Sequence, residues 1–246
     1  MDKYIELFEN HVGIKLPPIT INRITSKEMV NITHKDSLSN IPCGFVDRRN
    51  VKPTIWIRND MSELQTQTTI FHELVHILLN GKYKKRLDLL KNEDSEEQQM
   101  CFKITYDFWN EFVAEYFAVT AICGKKDKFN ELPTLINDMI NNHDKRFIYA
   151  ILAHLCAFYT ETPINDIVPD ISQKYSPWHA DPRLLADISQ KYVDRIESLK
   201  KACLNIIGEY SIENMWDIPD DKFNNEITEN YLEMFFLILQ KEAEES

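Results

Sequence analysis

The chain has 246 residues, 43% apolar and 27% charged, enough to bury one large domain or a compact domain with an extension. Its net charge of −11 excludes a DNA-coating role, which needs a basic stripe against the phosphates, and five glycines are too few for a turn-dense all-β fold. No stretch approaches the roughly 18 consecutive apolar residues of a membrane span, and the opening MDKYIELFEN is acidic and amphipathic rather than a signal peptide. Five scattered cysteines with no C-x-x-C pair fit a reduced cytoplasm.

Residues 2–12 read as a short helix ended by Gly13 and the pair Pro17 and Pro18, and ITINRIT at 19–25 has β-branched, strand-like content. GFVDRR and VKPTIWIRND follow as a hairpin, with Pro53 placing its second strand near an edge. From about Ser62 to Asn80 the spacing of Ile70, Phe71, Leu74, Ile77 and Leu78 predicts a helix, which Gly81 is expected to stop. Residues 82–97 read as a mobile connection or frayed helix, with Lys82, Lys84, Lys85 and Arg86 as solvated surface. Beyond it the chain is almost wholly helical, with predicted segments at 97–122, 129–142, 145–160, 182–206 and 226–243.

The informative string is HELVH at 72–76. On a helix it sets His72 and His76 one turn apart on one face, so two imidazoles can hold one ion. Zinc suits them, because it takes nitrogen ligands in a tetrahedron and a catalytic site leaves one corner for water. Glu73, beside His72 but turned aside, is placed to take a proton from that water. With seven histidines, a chance H-E-x-x-H has a probability on the order of one in a hundred, before helical context is required.

A third ligand is needed, and Leu79 and Lys82 occupy the places of a metzincin's glycine and third histidine. The remaining common solution is an acid from a later helix. NEFVAEYFA at 110–118 supplies it, with Phe112, Val113 and Phe117 free to pack inward. Glu111 is read as the zinc ligand, and Glu115 either as the partner of a ligand imidazole or as a solvent-facing acid. The donor that stabilises the transition state has several candidates: His179 in SPWHADPR, Tyr116, His154 and Tyr175.

HELVH followed by Glu111, Ala114, Phe117 and Ala118 in an E-x-x-A-x-x-F-A array resembles the ImmA/IrrE family of metallopeptidases, within the wider gluzincin group. The resemblance covers roughly residues 15–123 and departs from the family's usual pattern at Val75, at Glu115 and in FAVTAICG. It implies an α+β fold with a zincin-like core, a small N-terminal β-sheet and active-site helices, bound Zn2+ and a protein substrate, such as a helix-turn-helix regulator encoded nearby. Neither direct nucleic-acid binding nor membrane attachment is expected. The expected organisation is a metalloprotease domain at 1–125 and a mainly α-helical region at 126–246 that regulates it or selects its substrate. The competing reading is a zincin-like sensor or partner-binding module without turnover.

Overall fold

The computed structural model describes residues 2–33, 42–49, 52–92, 95–123, 147–164 and 182–244. Helix α1 (Asp2–Val12) buries Tyr4 and Phe8 and ends at Gly13, whose φ of 75° is left-handed and unstrained only for glycine. Three short strands follow, β1 (Thr20–Ile24), β2 (Gly44–Asp47) and β3 (Thr54–Arg58), with α2 (Ser26–Thr33) between the first two.

The sheet order is β1-β3-β2, with β1 parallel and β2 antiparallel to β3. The hairpin expected from the sequence is present, but its second strand is central and not an edge. Pro53 stands one residue before β3, where its missing N–H removes no ladder bond and its carbonyl accepts from Thr20 N at 3.0 Å. Ile55 and Ile57 are fully buried on one face of this strand. The free edges among the described residues are those of β1 and β2.

Helix α3 (Glu63–Leu89) opens with a capping box: Ser62 Oγ accepts from Gln65 N, and Gln65 Oε1 accepts from Ser62 N at 3.1 Å. Contrary to expectation it does not stop at Gly81 but runs to Leu89 and a 3-10 turn at Leu90–Asn92. The cost of a helical glycine is about 1 kcal/mol, and contacts further along outweigh it. Lys82 and Arg86, one turn apart, bind Asp217 and Asp220, and also the carbonyls of Glu213, Trp216 and Ile218. Tyr83 donates to Asp107. Of the basic run, only Lys84 and Lys85 are the solvated residues expected.

Helix α4 (Glu96–Cys123) returns against α3, and beyond it lie α5 (Phe147–Phe158), α6 (Pro182–Glu209), α7 (Asp220–Phe223), a π-helical turn at Asn224–Thr228 and α8 (Glu229–Glu244). The segment expected at 129–142 lies outside the described residues. The described elements make a helix-rich α+β architecture with one small sheet. None of the described helices is long and apolar enough to cross a membrane.

Buried side chains from Tyr4 to Met234 form one contiguous core shared by the two regions read from the sequence. Trp109 of α4 is fully buried and donates its indole N–H to Met215 O at 2.9 Å, while Phe108 stacks on Tyr231 of α8 with centroids 4.1 Å apart.

A methyl group at Gly81 would meet no heavy atom within 4 Å, and its φ is not left-handed. Gly81→Ala should therefore stabilise the fold by about 0.5–1 kcal/mol, read as a raised urea midpoint at unchanged slope.

Candidate metal centre

The site is built by two helices that run in opposite directions. Tyr83 meets Asp107, His76 meets Asn110 and His72 meets Glu115, so each step back along α3 is matched by a step forward along α4. That register brings His72, His76 and Glu111 together, as the sequence predicts. His72 Nε2 lies 3.0 Å from His76 Nε2 and 3.2 Å from Glu111 Oε2, and His76 Nε2 lies 3.4 Å from Glu111 Oε1. A tetrahedral ion with bonds of about 2.0–2.1 Å has ligand atoms about 3.3–3.4 Å apart. The three groups fit zinc in donor type and in spacing.

Each imidazole is held from behind. Glu115 Oε2 accepts from His72 Nδ1 at 2.9 Å, which leaves Nε2 as the free donor of its electron pair. Asn110 Nδ2 lies 3.1 Å from His76 Nδ1 and holds that ring; with the amide flipped, its oxygen would accept from Nδ1 and free Nε2 as it is freed in His72. Of the two readings of Glu115, the structure selects the imidazole partner. His154 Nε2 stands 3.9 Å from the other oxygen of Glu115 and extends the chain of polar groups into α5.

The electrostatics follow from crowding these groups in a poorly solvated place. Burial opposes charge on His72, and Glu111 and Glu115 together more than reverse it, so the imidazole attracts a positive charge strongly. Burial likewise opposes ionisation of Glu111 and Glu115, but the histidines win, holding Glu111 well below the usual carboxylate range and Glu115 at about 2. Glu73 differs: burial dominates and pushes its carboxyl up, against the pull of His72 and His76. Its carboxylate takes no hydrogen bond among the described residues and opens into two cavities that meet at the ligands.

The larger cavity, about 410 Å³, lies beside His72 between Cys43 and Gly44, the Thr68 and Thr69 turn of α3, and Tyr149 and His154 of α5. The smaller, about 240 Å³, lies beside His76 and is walled by Val46, Arg48, Asn80, Tyr83 and Asn110. Strand β2 borders both. A Cβ on Gly44 would fall 2.5 Å from Thr69 Cγ2, one turn before Glu73, so the strand approaches the ligand helix this closely only because the residue is glycine.

Two residues of this site were not visible in the sequence. Asn110 carried a signal, since it precedes Glu111 and the antiparallel register turns it to His76. Tyr149 carried none; its ring centroid is 6.4 Å from that of His72, and its hydroxyl makes no hydrogen bond among the described residues. Of the donors proposed from the sequence, His154 lines the larger cavity, Tyr116 stacks on Phe112 away from both cavities, and His179 and Tyr175 lie outside the described residues. Comparison of the chain with models of known protein families, with curated proteins and with solved structures finds no match.

Zinc added to the metal-free protein should bind at about one ion per chain. His72→Ala, His76→Ala and Glu111→Ala should each abolish most of that binding, and Glu115→Gln should weaken it by about 10–100-fold. Elemental analysis and chelator competition read the result; undiminished zinc in Glu111→Ala would assign the third ligand to another residue. Gly44→Ala should destabilise the fold by about 1–3 kcal/mol as strand and helix are forced apart, measurable by thermal or urea unfolding.

Proposed function

We propose that the protein is a zinc-dependent endopeptidase with a zincin-like core, acting on a protein substrate with Glu73 as its general base. One observation carries the reading: two imidazoles and a carboxylate converge at tetrahedral spacing, and a buried carboxylate with no hydrogen bond of its own stands beside them in an open cleft. A buried carboxylate left without a donor is costly, and a metal held only for structure does not call for one there.

Bound to these ligands, zinc would supply a Lewis acid that polarises a carbonyl and acidifies a water molecule. Glu73, its basicity raised by burial, takes the proton of the attacking water and passes it to the departing amine. Tyr149 faces the ligands across the larger cavity, and burial keeps its phenol protonated far above neutrality, so it is a permanent hydrogen-bond donor. Tyr149 thereby joins His154 as a candidate oxyanion donor lining this cavity.

The substrate would lie extended along β2. Pairing along β3 is blocked because both of its edges are occupied, whereas β2 has a free edge and borders both cavities. The substrate class remains the one the family resemblance implies, a regulator with a helix-turn-helix domain encoded nearby.

Glu73→Gln should retain zinc and fold while losing nearly all cleavage, because the amide matches the acid in size but takes no proton. Tyr149→Phe should lower kcat by about 10²-fold with a smaller change in KM. The assay is mass spectrometry of a proteome-derived peptide library incubated with the zinc-loaded full chain. A zinc-loaded wild type that leaves the library and the neighbouring regulator intact would instead make the site that of a sensor.

A further inference from the structure

The smaller cavity has a chemical character of its own. Arg48 follows β2 directly, and one of its guanidinium nitrogens donates to the His76 carbonyl at 3.0 Å, which fixes the side chain beside the metal ligands. The remaining N–H groups have no carboxylate partner within 4.0 Å among the described residues. Asn80, half-buried one turn beyond His76, adds a carboxamide with no hydrogen bond among those residues. The neighbouring polar groups are committed elsewhere: Tyr83 donates to Asp107, and Asn110 is engaged with His76.

The cavity also holds two acids, Glu73 and Glu111, which a divalent cation held by His72, His76 and Glu111 would balance. That leaves a positive fork and an unused amide in about 240 Å³, room for one side chain. A guanidinium held in place presents parallel N–H groups to a planar anion at little entropic cost.

Building on the metallopeptidase reading, we propose that this cavity is a specificity subsite for a carboxylate of the substrate, bound by Arg48 and Asn80 next to the scissile bond. The carboxylate is that of an aspartate or glutamate, or the terminal one of a peptide. Because Arg48 is open to solvent on its outer side, the preference weakens as salt rises.

The test uses peptide hydroxamates, which anchor on the metal without turnover, with Asp, Glu, Asn, Gln or Lys placed one to three residues from the hydroxamate. A second set carries its only carboxylate at a free C-terminus. Affinities are measured by calorimetry on the zinc-loaded full chain. Acidic members should bind about tenfold more tightly than their amides, and whichever set shows the larger gain identifies the source of the carboxylate. Arg48→Ala should erase the gain, and Arg48→Glu should transfer it to Lys, with zinc content unchanged in both. Asn80→Ala, which leaves the Arg48 anchor in place, should lose part of it. Equal affinity for acid and amide in the wild type overturns the subsite while leaving the protease intact. Acid-selective binding in a chain that cleaves nothing supports the subsite and overturns the protease, and failure of every hydroxamate to bind overturns both.

Discussion

The antiparallel packing of α3 on α4 is the constraint from which the site follows. Neither helix contains a complete site. His72 and His76 need a third ligand, and Glu111 and Glu115 need cationic or donor partners before they can be buried. The hairpin meets both needs in one register, with Glu111 against both imidazoles and Glu115 behind His72. A shift of one residue along either helix would rotate its side chains by about 100° and part all of these groups. Small residues assist, since Ala114 and Ala118 are fully buried on α4 and keep that face thin.

The C-terminal region contributes by fixing that register from the other side. Trp109 is two residues from Glu111 and hence nearly opposite on α4, where Met215 accepts its N–H and Phe223 packs edge-on to its ring. Lys82 and Arg86 reach the same 213–220 segment from α3. One segment therefore grips both helices just beyond the ligands. The shared core means that this region's burial and the placing of His72, His76 and Glu111 rest on common contacts.

The parts of this arrangement visible in the sequence are those with a period. His72, Glu73 and His76 follow from helical spacing, and Glu111 and Glu115 from a second helix with the same spacing. The errors arose where tertiary contacts overrule local preference. Gly81 has the propensity of a helix stop, but Lys82 and Arg86 are anchored more than a hundred residues away along the chain, and no local rule contains Asp217 or Asp220. Pro53 suggests an edge only if it lies inside the strand; it lies one residue outside, and β1 pairs parallel after a crossover that leaves no periodic trace. Tyr149 enters the site because α5 packs on α4, a fact of three-dimensional contact with no signature among its neighbours.

The same crowding would leave the site poorly balanced without a cation. Glu73, Glu111 and Glu115 converge on two imidazoles, and burial works against every one of the charges. A divalent ion at the centre of His72, His76 and Glu111 would balance the carboxylates from a single point and draw the imidazole lone pairs inward. Metal binding would therefore consolidate the α3–α4 hairpin, since an ion that binds only the folded site adds its binding free energy to the fold. The preference of the cluster for positive charge and the raised basicity of Glu73 are two results of one desolvated environment.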